Sequence, residues 1–185
     1  MQKHAPMPTT PEPPPTDLRL ILDTTVLSNF ALVGQIALLQ RLYTGQAGTT
    51  LAVADEIRRG LSSGYEYLRA AEEALLPLSS TGWLSVLTPV SPEEQRLFVE
   101  LGASLAPGEA SCLALAIARG LTLASDDRAA RQRAAERGVR LTGTLGILVR
   151  AVREGHIALA EANDALARMI ALRYRSPVLR LDELI

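Results

Sequence analysis

Apolar positions along the chain follow two alternating rhythms. Short dense runs, LRLIL (18–22), TTLAV (49–53), WLSVL (83–87) and LTLAS (121–125), read as buried strands, with VRLTG (139–143) a weaker fifth. Between them, apolar residues recur at helical spacing in VLSNFALVGQIALLQRL, in ADEIRRG followed by GYEYLRAAEEALL, in PEEQRLFVELG, in PGEASCLALAIARG and in DRAARQRAAERG. Several of these segments begin near Pro and end at Gly, the usual asymmetry of helix ends. Two further helical segments, GTLGILVRAVREG and IALAEANDALARMIALRYR, would close the unit. Strands alternating with helices predict an α/β fold whose central, mostly parallel sheet of about five strands is covered on both faces.

Composition narrows this picture. With 185 residues, 48% hydrophobic and 4% aromatic, the chain is long enough for one sizeable core and short for two. The first 17 residues, MQKHAPMPTTPEPPPTD, are dense in proline and lack the apolar centre of a secretory signal. They read as a disordered extension, leaving residues 18–185 as the folded domain. Apolar runs such as LALAIA fall far short of the roughly 20 residues that span a bilayer, so no membrane-spanning helix is expected. One cysteine, Cys112, permits no internal disulfide, and two histidines, His4 and His156, cannot build a Cys/His zinc site. Both counts suit the cytoplasm. The single lysine, Lys3, lies in the tail, which excludes Schiff-base chemistry in the core, and no GxxxxGK phosphate loop is present.

Net charge is −1, so the chain as a whole is no polycation. Charge is unevenly spread, however: between Arg128 and Arg153 seven arginines face one acid, Glu136. This stretch reads either as a solvated helix face or as a surface for phosphates.

The acids carry the candidate chemistry. In sheets of this kind, ligands collect beyond the carboxyl ends of the strands. Asp23 ends the first run, Asp126 and Asp127 follow LTLAS, Glu56 lies in the helix after TTLAV, and Glu109 opens PGEASCLALAIA. Each alone suits a helix N-terminus, as a cap or against the dipole. Converged at one sheet edge they would repel and raise one another's pKa unless a cation neutralised them. Oxygen ligands without His or Cys call for a hard ion, Mg²⁺ or Mn²⁺. Such an ion activates water for attack on phosphorus and stabilises the leaving oxygen, so metal-dependent phosphodiester hydrolysis is the expected reaction.

The order DTTVLSNFA, VADEIRRG, PGEASCLALA and ASDDRAAR, followed by LTGTLGIL, resembles the PIN domain, the nuclease fold of VapC-type toxins. The resemblance covers nearly the whole chain after the tail. It implies a three-layer α/β/α domain that binds Mg²⁺ or Mn²⁺ and cuts RNA, with a homodimer and a small cognate antitoxin as expected partners. Carried across by position, Asp23, Glu109 and one or both of Asp126 and Asp127 would be metal ligands, Glu56 a further acid acting directly or through water, and Thr25 a hydroxyl that orients a ligand. The doublet stays open: matching Ser125 to the family's small hydroxyl residue selects Asp127, whereas an acid directly at the strand end selects Asp126. The chain departs from compact toxins in its tail and in the longer segment GLSSGYEYLRAAEEALLPLSSTG.

Two other readings compete. A phosphatase of the haloacid dehalogenase type also has an Asp after its first strand, but wants a second Asp two residues on, where this chain has Thr25, and a core lysine. In a non-catalytic module that binds nucleic acid or a partner, the acids would be vestigial. Cys112, among Leu113, Leu115 and Ile117, reads as core. Trp83 and Phe98 do too, His156 after Gly155 reads as a helix end, and the amphipathic closing helix packs inward or against a partner.

Overall fold

A strand whose side chains are buried on both sides must lie inside a sheet covered on both faces. Leu20–Leu22 (β1) is such a strand, with all three residues buried. The computed structural model describes residues 17–185. The expected N-terminal extension therefore lies outside the described residues, except for Asp17.

After β1 come α1 (Thr24–Leu32), α2 (Ile36–Tyr43), β2 (Ala47–Thr50), α3 (Leu51–Ser62), a 3₁₀ turn (Glu66–Leu68) and α4 (Arg69–Glu73). Then follow β3 (Leu75–Leu76), β4 (Leu84–Leu87), α5 (Pro92–Gly102), α6 (Pro107–Arg119), β5 (Thr122–Ala124) and α7 (Arg128–Glu136). The chain finishes with β6 (Leu141–Thr142), α8 (Thr144–Arg153), α9 (Leu159–Ala171) and a second 3₁₀ turn (Leu181–Glu183).

The sheet has six strands in the order β3-β4-β2-β1-β5-β6, every pair parallel. The α/β architecture is as the alternation of periods predicts, with one strand more than expected. Three local assignments change. The run TTLAV divides: β2 ends at Thr50, whose hydroxyl accepts the Val53 N–H at 3.3 Å and starts α3, so Leu51, Ala52 and Val53 are helical. Leu75–Leu76, expected at the end of a helix, instead pairs with β4, Leu75 opposite Leu84. The long helix expected over 26–42 breaks at Gly34, which adopts φ +71 between α1 and α2.

The core joins β1, β5 and the apolar face of α1 (Val26, Leu27, Phe30) to α6, where every residue from Ala110 to Ala116 is buried. Cys112 is one of these, in agreement with its reading as core. α6 packs against α3 and α5 and touches β1, β2 and β5. Its first turn is thereby fixed near the ends of the central strands.

Candidate active site

The chain runs outward from β1 through β2 to β4 and β3, then returns to the other side of β1 as β5 and β6. The reversal leaves a crevice beyond the carboxyl ends of β1 and β5, where side chains rather than backbone must satisfy one another. Leu22 is in register with Ala124, so the residues that follow, Asp23 and Ser125, meet.

Asp23 is 1% exposed and caps α1: its Oδ1 accepts the Thr24 N–H at 2.7 Å. Its Oδ2 accepts two hydroxyls, from Thr25 at 3.1 Å and Ser125 at 2.7 Å. Those hydroxyls in turn accept backbone N–H groups of the doublet, Thr25 from Asp126 at 3.0 Å and Ser125 from Asp127 at 3.1 Å. Thr25 thus ties Asp23 to the β5 exit.

Glu56 reaches across from α3. Its Oε1 accepts the Gly108 N–H at 2.9 Å and its Oε2 accepts the Thr24 hydroxyl. A Cβ at position 108 would lie 2.6 Å from that carboxylate, so glycine is what admits Glu56 to the start of α6. Glu109, the next residue, accepts the Ala106 N–H through Oε2 at 3.1 Å. Asp127 caps α7 by accepting the Ala130 N–H through Oδ1 at 2.8 Å. Among the described residues, Glu109 Oε1 and Asp127 Oδ2 accept no hydrogen bond.

Electrostatics tie these acids together. Burial pushes the Asp23 carboxyl above its ordinary value, against the hydrogen bonds from Ser125, Thr24 and Thr25, and the Glu56 charge adds to the rise. Glu109 is raised by burial and then by Asp127, Asp23 and Glu56, while the Ala106 N–H pulls it back. Among the described residues, none of these four acids is paired with a basic side chain.

Asp126 keeps different company. Its carboxylate accepts Asn29 Nδ2 at 3.1 Å, the Thr144 N–H at 3.0 Å, the Thr144 hydroxyl at 2.5 Å and the Tyr174 hydroxyl at 3.4 Å. A Cβ on Gly143 would lie 2.5 Å from its Oδ1. The stretch LTGTLGIL therefore supplies a glycine for close approach and a threonine N–H for the acid to cap.

The model of a PIN-domain family, DUF3368, matches residues 19–185. The chain belongs to the PIN-domain family. PIN domains are generally nucleases and typically use divalent metals, and this PIN domain has the family's α/β architecture. No curated protein matches the sequence. Among solved structures, the chain is similar to the crystal structure of PAE2754 from Pyrobaculum aerophilum, with 18% identity and a TM-score of 0.49, over 75% of this chain and 98% of that one.

Of the residues singled out in the sequence, the fold brings Asp23, Glu56, Glu109 and Asp127 into one electrostatic group, with Thr25 beneath Asp23. Asp126 is adjacent but committed to α1, α8 and the segment after α9. The sequence did not single out Thr24 and Asn29 of α1, Gly108 of α6, Thr144 of α8 or Tyr174 after α9, all of which reach the site. Only the glycine before Glu109 and the glycine before Thr144 left a visible trace, as small residues beside motif positions.

Proposed function

We propose that this PIN domain is a Mg²⁺- or Mn²⁺-dependent endoribonuclease that hydrolyses RNA phosphodiester bonds, the toxin of a toxin–antitoxin pair. The observation that carries the reading is the gathering of four carboxylates at the β1/β5 crevice with no basic partner among the described residues. Their mutual repulsion is what a hard cation relieves, and the donor set is oxygen alone. Among the described residues no three such side chains stand ready to hold an ion directly. That suits Mg²⁺, which keeps several of its waters and takes only one or two carboxylates.

The ion would be held directly by one or two of Asp23, Glu109 and Asp127, and by the remaining acids, Glu56 among them, through its waters; bound there, it would supply an activated water and neutralise the leaving oxygen. The chain's own part is positioning. Thr25 and Ser125 fix the Asp23 carboxylate, Gly108 and Thr24 fix Glu56, and the unclaimed oxygens of Glu109 and Asp127 remain for a ligand.

Asp23→Asn keeps the size and capping capacity of the residue while removing its charge. With Mg²⁺ or Mn²⁺ and unpaired RNA, the wild-type chain should cleave and Asp23→Asn should not; in a bacterial host, growth arrest by the wild type should vanish in the same variant. Full activity of Asp23→Asn would sink the reading.

The alternative, a PIN domain that binds nucleic acid or a partner without cutting, is favoured by the structural duties of the acids, since Asp23, Glu109 and Asp127 all serve as helix caps. RNA binding without turnover in either metal would select it. Homodimer formation is checked by light scattering of the purified chain.

A further inference from the structure

Among the described residues, the left-handed residues that follow helices are glycine, with a single exception. Six residues just past helices adopt positive φ and all are glycine: Gly34, Gly45, Gly64, Gly120, Gly138 and Gly155. α9 ends with the same pair of closing bonds, Arg173 N–H to Ile170 O at 3.0 Å and Tyr174 N–H to Met169 O at 2.9 Å. Here the left-handed residue is Arg173, at φ +79. A left-handed arginine is strained by its Cβ where glycine is not. Such strain persists where the side chain has a use.

The surroundings show the use. An open cleft of about 440 Å³ is lined both by Thr25, Asp126 and Asp127 and by Arg173, Tyr174 and Arg175. Arg173 and Arg175 are exposed, and among the described residues neither forms an ion pair, although they share the cleft with two acids. Asp126 is satisfied by other donors, including the Tyr174 hydroxyl, which pins the segment between the two arginines to the site. Tyr67, from the longer segment after α3, adds aromatic surface to the same cleft.

Resting on the nuclease reading, we infer that Arg173 and Arg175 hold the phosphates of the RNA strand flanking the acid cluster, as positioning residues. Two guanidinium groups on a pinned segment suit successive phosphates of an unpaired strand, because each presents a planar fork of donors. Tyr67 offers the sequence-tolerant surface on which an unstacked base rests.

The test measures binding without turnover. A fluorescein-labelled unpaired RNA of mixed sequence is titrated by anisotropy, in EDTA, across a range of salt concentrations. In Arg173→Gly/Arg175→Ala the slope of log K against log salt should shrink by roughly 1.4, the single-strand value of about 0.7 per phosphate for two contacts. Because glycine is what this position favours, the melting temperature should hold or rise. An unchanged slope, a lower melting temperature or no RNA binding by the wild type overturns the inference. Cleavage by Asp23→Asn, assayed in parallel with Mg²⁺, reports separately on the nuclease reading.

Discussion

Asp126 and Asp127 are neighbours in sequence, both follow β5, and their carboxylates serve different purposes. Asp127 faces the acids and spends one oxygen on a cap, while Asp126 receives donors from α1, α8 and the segment after α9. Asp127→Asn should keep the cap, change stability by less than about 0.5 kcal/mol and reduce cleavage by roughly a hundredfold or more. Asp126→Ala should cost about 2 kcal/mol, because it strands the Thr144 N–H and leaves the Asn29 amide with one of its two acceptors. Thermal denaturation and a cleavage assay on the two variants separate the roles, and the opposite pattern would exchange them. Sequence alone left this choice open because both residues are acids before a helix; the direction the backbone takes after Ser125 gives the two carboxylates different partners, which is the ground for proposing Asp127. Asp23, Glu56 and Glu109 were legible because each stands where a strand-to-helix pattern already directs attention.

At the scale of elements, helix caps anchor more than their own helices. Glu94, in the first turn of α5, is buried, and burial alone would raise its pKa. Arg119 at 2.7 Å and the N–H groups of Ser91 and Val90 overcome that and hold it at about 2. The ion pair joins α5 to the end of α6, the helix whose start carries Glu109. A carboxylate with a depressed pKa gives stability that is full above its unfolded value and lost as pH falls towards the folded one. The contribution of Glu94 should therefore be complete at pH 5 and above and fade on the way to pH 2. Glu94→Gln should cost about 2 kcal/mol near neutrality and progressively less in acid, as read by denaturant unfolding at several pH values.

Elements were legible wherever the period was long and the ends marked, as in α5 to α9. They were lost where packing outweighed local pattern. Leu51-Ala52-Val53 continues the apolar look of β2, but the Thr50 cap turns it into helix. Leu75–Leu76 has a helical lead-in, and only its pairing with β4 makes it a strand.

Across the whole molecule, the acid cluster sets a balance between fold and site. Asp23 and Glu109 have raised pKa values, so their contribution to stability declines as pH rises from the ordinary carboxylate range through each raised value. On the proposed reading, a cation would take the proton's place. Mg²⁺ or Mn²⁺ should raise the melting temperature, more at pH 7 than at pH 5, by an amount equivalent to about 2.7 kcal/mol at a hundred times the dissociation constant. Calorimetry with and without metal checks this, and equal increments at both pH values would contradict it. No helix among the described residues is long and apolar enough to cross a membrane.

The parallel order that places β5 beside β1 has one more consequence, in time rather than space. Ser125, which fixes the Asp23 carboxylate, is made 102 residues after it, and Thr144, which holds the β5 exit, comes later still. A chain emerging from the ribosome therefore carries its first acid long before the partners that organise it, and contacts of such long range form slowly. On the proposed nuclease reading, a growing copy would carry an unfinished site, harmless to the message that encodes it.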